Sequence, residues 1–268
     1  MKSSLLRTFF FIFLFGIPGL LMFHATSKIQ SSDDFGITRK NIIFNIPPSY
    51  KDAGLENVVY EGIDLKEDCS IYSPELLEQI FHAYNKCPCV QEILSIHRTL
   101  PNRILLNARW HLPGAFLPEN GSLARSDFLY LIDRTGENIL RKVKKEFRSP
   151  DYPVMESDFS VLPDNRWQLR PDPDIKDGMA ALAVVSRIIP SGSGVRKIEF
   201  HGSSKGRNKK DILFSVTGSN WTARIMWGAW YRGDKPFPRY ANSVEKKTVE
   251  LRKRIRDNRL PEYTDLRF

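Results

Sequence analysis

The residues of this chain that could do chemistry are few: five histidines, three cysteines and one Ser-Ser-Lys run. His24, His82, His97, His111 and His201 are scattered, and no two share the spacing of metal ligands. Cys69, Cys87 and Cys89 make no CxxC pair and no Cys/His ligand set, so a zinc site is not expected. Ser203, Ser204 and Lys205 have the residue types of a serine–lysine dyad, but they sit in a Gly/Lys-rich loop with nothing to fix lysine against serine. Gly192-Ser193-Gly194 lacks the GxxxxGK[ST] spacing of a phosphate loop. An enzyme needs a nucleophile with its base, a metal set or paired acids, and none is legible. The expectation is therefore a protein without catalytic, cofactor or metal site and without a small-molecule substrate. Cys87-Pro88-Cys89 cannot easily close on itself. Outside the cytoplasm, Cys69 could pair with Cys87 or Cys89; the alternative is that the three remain buried thiols.

If the chain binds rather than catalyses, its strands and turns carry the function. Arg103–Trp110 places Ile104, Leu106, Ala108 and Trp110 two apart, the period of a half-buried strand. Gln91–Arg98 is a second apolar–polar run. Between them Leu100-Pro101-Asn102 is a turn, since proline presets φ for its first central position and asparagine tolerates left-handed geometry. This hairpin needs a cover. Pro74–Tyr84 supplies one: Leu76, Leu77, Ile80, Phe81 and Tyr84 recur at helical spacing, with Ser73 expected as N-cap and Pro74 at the first helical position.

Upstream, the run Leu5–Phe23, with Phe9–Phe15 free of polar side chains, spans roughly 28 Å as a helix, enough to cross a bilayer core. A cleaved signal peptide is the rival, but with Ala25 at −1 the −3 position would be Phe23, so the run reads as an uncleaved anchor. Lys2 and Arg7 put its N-terminal side in the cytoplasm. Ser27–Pro48 reads as a polar spacer, and Val58-Val59-Tyr60, within Leu55–Ile63, as a first short strand. Net charge is +9, and residues 187–268 carry 19 Lys and Arg against 8 Asp and Glu. Such an excess suits nucleic acid, anionic lipid or an acidic partner; its plainer meaning is a solvated basic surface.

Beyond the hairpin, Phe128–Asp133 is an apolar strand, Asp133-Arg134-Thr135-Gly136 a glycine turn and Glu137–Leu140 its return. Asp174–Ile189 has the period of a helix, with Met179, Leu182, Ala183, Val185 and Ile189 on one stripe and Pro190 as a stop. Val195–His201, Asp211–Thr217 and Thr222–Trp227 are strands, the last two joined at Gly218-Ser219-Asn220. Ser243–Asp257 is an amphipathic helix with Val244, Thr248, Leu251 and Ile255 on its apolar stripe and basic residues opposite. In a closing strand Tyr263, Asp265 and Arg267 would share one face and Thr264, Leu266 and Phe268 the other, with Leu266 and Phe268 against that helix or the sheet core.

A helix, the entry Pro88-Cys89-Val90, basic His97-Arg98, the Leu100-Pro101-Asn102 turn and Pro113-Gly114-Ala115 resemble the ending of a POTRA module, and specifically that of the FtsQ/DivIB family of bacterial cell-division proteins. FLYLID with its glycine turn, Tyr152-Pro153-Val154-Met155, Ile225-Met226-Trp227-Gly228 and Tyr263-Thr264-Asp265-Leu266-Arg267 are similar to that family's further motifs, in the family's order. A POTRA module normally has two helices before its hairpin; here the first is expected to shrink to a turn near Asp64–Ser70.

The resemblance implies an α+β chain: residues 1–24 a tail and transmembrane helix, 25–52 a linker, 53–114 a POTRA-like domain and 115–268 a mixed β-sheet domain with helices on one face. It implies a single-pass inner-membrane protein, N-terminus cytoplasmic and bulk periplasmic, that acts without catalysis as a scaffold of the septal division machinery. Its partners would be other division proteins, among them FtsB- and FtsL-like coiled-coil membrane proteins, and not nucleic acid. In that family the C-terminal strands bind such partners by extending the sheet, which carries the role onto Tyr263, Thr264, Asp265, Leu266, Arg267 and Phe268, with Arg267 expected to pair a partner's carboxylate. The alternative is a POTRA-bearing binding or chaperone module of another envelope-assembly system.

Overall fold

A computed structural model describes residues 16–30, 36–61, 70–99, 101–156, 168–169, 172–201, 210–219, 221–228, 244–256 and 262–267. These form a mixed α+β protein with two mixed sheets and six α-helices. Two compact units separate by contact: Met1–Asn45 with Tyr60–Arg109, and Ile46–Val59 with Trp110–Phe268. The expected boundary at 114/115 falls inside a strand of the second unit, Pro113–Pro118.

The first unit opens with α1 (Ile17–Gln30), a 14-residue helix. No helix among the described residues is long and apolar enough to cross a membrane. The upstream part of the expected span, Leu5–Phe15, lies outside the described residues. Next comes β1 (Ile42–Phe44), inside the segment expected to be spacer. It pairs in parallel with β3 (Arg103–Trp110), Ile42 opposite Ile104 and Phe44 opposite Leu106. Three residues in a polar stretch have too short a pattern to read, yet Ile42 is buried by its neighbours across the sheet. β2 (Val90–Thr99) completes the order β1-β3-β2. The hairpin between β2 and β3 is as expected: Ser95 accepts from Asn107 at 3.1 Å and Glu92 pairs Arg109 at 2.8 Å, an antiparallel ladder. Ile104, Leu106, Ala108 and Trp110 are all buried.

Val58-Val59-Tyr60 is not a strand. It lies in α3 (Glu56–Glu61), preceded by α2 (Ser49–Asp52). Valine's strand preference is weak, and burying Val59 one turn after Leu55 overrides it. Both helices precede α4 (Leu76–Asn85). The expected turn at Asp64–Ser70 lies outside the described residues apart from Ser70, which bridges to Gly36. In α4 the buried stripe is Leu76, Ile80 and Tyr84; Leu77 is half-buried and Phe81 exposed. Ser73 does not cap it. Glu75 holds the cap position with helical dihedrals and no side-chain bond, and Leu76 N–H reaches the Ser73 carbonyl at 3.3 Å, so the Ser73–Pro74 segment is a turn before the helix. The Phe44 ring meets Tyr84 and Tyr60 edge-on at 5.0 and 5.2 Å.

The second unit is an eight-stranded sheet in the order β11-β10-β9-β8-β7-β4-β5-β6. Its strands are β4 (Pro113–Pro118), β5 (Phe128–Asp133), β6 (Ile139–Lys144), β7 (Val154–Glu156), β8 (Gly194–His201), β9 (Asp211–Thr217), β10 (Thr222–Gly228) and β11 (Tyr263–Asp265). Pro113-Gly114-Ala115 therefore opens an interior strand; every residue of β4 is buried. The return strand after the Gly136 turn (φ 75°) runs Ile139–Lys144, later than expected. α5 (Pro173–Val185) starts at Asp172, whose carboxylate accepts from Asp174 and Ile175 N–H at 2.8 and 3.3 Å. It ends at Val185, short of the expected Ile189. Helix α6 (Val244–Arg256) joins the same core. Met179, Leu182 and Val185 of α5 and Leu251 of α6 pack in one cluster with alternate residues of the sheet, Ile132, Ile198, Phe214 and Ile225 among them. Both helices cover one face, as the binary pattern requires.

Candidate functional site

The C-terminal edge is built by β9, β10, β11 and α6. β11 runs parallel to β10, with Arg224 opposite Tyr263 and Met226 opposite Asp265. Arg224 N–H donates to Glu262 O at 2.8 Å and Leu266 N–H to Met226 O at 2.9 Å. In a parallel ladder alternate residues of a strand bond to one neighbour. The even positions 262, 264 and 266 therefore face β10, and the backbone N–H and C=O of Tyr263 point away from it. β11 is the last strand of the sheet among the described residues.

Side chains alternate on the other axis. Thr264 and Leu266 are fully buried, and Leu266 shares the core cluster with Leu251 and Trp227. Tyr263 is 46% exposed and Arg267 is exposed. Phe268 lies outside the described residues. The Thr264 Oγ1 is buried without a hydrogen-bond partner among the described residues, an unusual state for a hydroxyl.

Arg267 does not offer itself to a partner. Its Nε and Nη2 grip Asp265 at 3.0 and 2.7 Å, and Nη1 reaches Asp211 at 3.3 Å. The Asp265 carboxylate, and behind it that of Asp211, push the guanidinium above its already high pKa. The expected free arginine is thus a clamp between the end strand and β9. The contact was invisible from sequence because Asp211 lies 56 residues away. Gly228 makes room for it. At φ 79° it follows a bulge in β10, and a Cβ there would lie 2.9 Å from Arg267 Cγ. Lys247 was also missed. Assigned to the basic outer face, it is buried, donates to Trp227 O at 2.5 Å and lies over the Trp227 ring at 5.6 Å. Its spacing of three from Val244 and four to Leu251 put it on the inner face; its charge argued otherwise.

Other candidates stand apart. Pro101 and Asn102 form the β2–β3 turn, with Pro101 exposed; Leu100 lies outside the described residues. Cys87 and Cys89 are both buried, and a hydrogen bond from Cys89 holds the Cys87 thiol below its usual pKa despite burial. Cys69 lies outside the described residues, as do Ser203, Ser204 and Lys205. His82 pairs Glu78 on an exposed helix face.

One histidine meets a buried carboxylate. His111 Nδ1 lies 3.0 Å from Asp133 Oδ2. Thr135 Oγ1, Asn138 Nδ2 and the N–H groups of Glu137 and Asn138 also donate to that carboxylate, at 2.8 to 3.2 Å. Burial alone would raise the Asp133 pKa; His111, Asn138 and Thr135 outweigh it and hold it down to about 2. With five donors engaged, this carboxylate is a poor base and a strong tie for the β5–β6 turn. No cluster of three potential metal ligands occurs among the described residues.

Compared with known proteins, the chain matches no family model and no curated protein sequence.

Proposed function

We propose that this chain is a membrane-anchored, non-catalytic scaffold of the FtsQ/DivIB kind, whose C-terminal strand receives an added strand from a small membrane partner of the division machinery. The observation that carries it is the outward backbone of Tyr263 on the terminal strand of the eight-stranded sheet. Such an edge pairs with any extended segment that presents matching N–H and C=O groups, while neighbouring side chains choose among them.

The order of elements along the chain supports the resemblance. A short strand, the helical segments α2, α3 and α4, and a hairpin that completes a three-stranded sheet follow one another as in the POTRA arrangement. The anchor is supported by α1. Leu20, Leu21, Met22 and Phe23 are each 65–76% exposed. Four consecutive residues step 100° apart around a helix, so this turn of α1 is apolar on all sides and water is a poor solvent for it, while Thr26, Ser27, Lys28 and Gln30 follow it. In this reading Lys2 and Arg7 are cytoplasmic and the two folded units are periplasmic.

Substituting Tyr263→Pro tests the edge. Proline removes an N–H that makes no bond to β10 and is tolerated on an edge strand. Full-length chain carrying a tag should capture small coiled-coil membrane partners from its own cells, and Tyr263→Pro should lose them with an unchanged thermal melt. Equal recovery by the variant would overturn the proposal.

A further inference from the structure

The second unit holds a groove of about 360 Å³ at one end of its sheet, remote in sequence from β11. Its floor is apolar: Met179 and Leu182 of α5, Val195 of β8 and Pro113 of β4. β7, which separates β4 from β8, starts only at Val154. Level with Pro113 and Gly194, the turn Asp151–Pro153 forms a wall instead of a strand. Gly114 keeps the floor low, since a Cβ there would meet Met179 Cε at 2.4 Å. On the rim stand Arg134 and Arg187, both exposed. Neither guanidinium has an ion pair or side-chain hydrogen bond with a described residue. The one rim carboxylate, Asp151, already accepts from Ser149 Oγ at 3.2 Å.

We infer that this groove docks an acidic peptide segment, with one bulky apolar side chain on the Met179–Leu182 floor and a carboxylate one or two residues away held by Arg134 and Arg187. Apolar floor and cationic rim together select that pairing: a neutral apolar residue would leave both guanidiniums unused, and an isolated carboxylate would leave the floor wet. A peptide fits better than a metabolite. Small-molecule sites bury most of their ligand, whereas this rim is exposed along Asp151, Ser186 and Arg187. The inference does not depend on the edge of β11.

The test pans phage-displayed random heptapeptides against the purified full-length chain. Enriched sequences should carry Leu, Ile, Met, Phe or Trp within two positions of Asp or Glu. A fluorescent synthetic peptide of the enriched sequence, and its twin with amide in place of acid, are then titrated by anisotropy. Arg187→Glu, Ala183→Trp and the amide twin should each weaken binding by about tenfold or more, and Tyr263→Pro should leave it unchanged. Arg187 and Ala183 are exposed, so both variants should melt like the parent; a variant that does not is replaced by Arg134→Glu. No enrichment over an unrelated protein, a consensus without an acid, equal binding by the folded variants, or loss on Tyr263→Pro alone would each overturn the inference.

Discussion

Replacing Asp133 by Asn should cost the second unit about 3 kcal/mol at neutral pH, because each buried donor left without its acceptor costs about 1–3 kcal/mol. An amide keeps one oxygen for Thr135 and the two backbone N–H groups, but its NH2 then faces the donor Asn138 Nδ2 and forces His111 into the tautomer that accepts at Nδ1. The pH dependence gives an independent figure. Asp133 is depressed from 3.8 to about 2. A lowered folded-state pKa means that its stabilisation is complete above the unfolded value and is lost as pH falls from about 4 through 2, amounting to about 2 kcal/mol. Four of the five tryptophans lie beyond β3 and the fifth, Trp110, is the last residue of that strand, so their fluorescence reports chiefly the second unit. Urea unfolding at pH 7 should show the variant less stable with an unchanged slope. Between pH 4 and 2 the wild type should lose stability faster than the variant, so the two curves converge. Equal midpoints at pH 7, or parallel curves down to pH 2, would refute the account of Asp133 as a structural anchor.

Arg267→Glu places a third carboxylate beside Asp265 and Asp211, so it should destabilise the second unit by about 1 kcal/mol, read as a lower urea midpoint; an unchanged midpoint would restore Arg267 as a free contact residue. Thr264→Val removes a buried hydroxyl that has no partner among the described residues and should stabilise by about 1 kcal/mol. Because Thr264 faces the core, that variant should capture partners as well as wild type does. If Cys69 bridges to Cys87 or Cys89, denatured protein kept oxidised should alkylate at one thiol, and reducing it should cost about 3 kcal/mol for a loop of roughly twenty residues; three reactive thiols would leave the cysteines as core residues.

What the sequence disclosed follows from the range of the forces involved. Strands with four alternating apolar residues, such as Arg103–Trp110, and turns with a positive-φ glycine, such as Asp133–Gly136, carry their instructions locally and were legible. Ile42–Phe44 did not, because three residues show no period and a parallel partner lies some sixty residues on. Val58-Val59 misled because propensity was read where packing decides. At the candidate edge, alternation placed Thr264 and Leu266 inward and Tyr263 and Arg267 outward, yet the roles of Arg267 and Lys247 were hidden. Both are long cations whose partners, Asp211 and the Trp227 carbonyl, are set only by tertiary structure.

That difference bears on how the edge could work. β11 has three residues in its ladder, so strand pairing alone holds it weakly. Leu266 tucks into the core on one side, and Arg267 ties Asp265 to Asp211 across the end of the sheet. Lys247 fixes α6 to the last carbonyl before the Gly228 turn. None of these contacts uses the backbone N–H or C=O of Tyr263, which stay on the outer side of the strand. A short strand held by side chains rather than by a long ladder keeps a fixed register while exposing a clean edge. An added strand would lengthen the sheet from Tyr263 without breaking any bond that holds β11 in place. Any stabilisation of the second unit by a bound partner should therefore vanish in Tyr263→Pro while surviving in Thr264→Val.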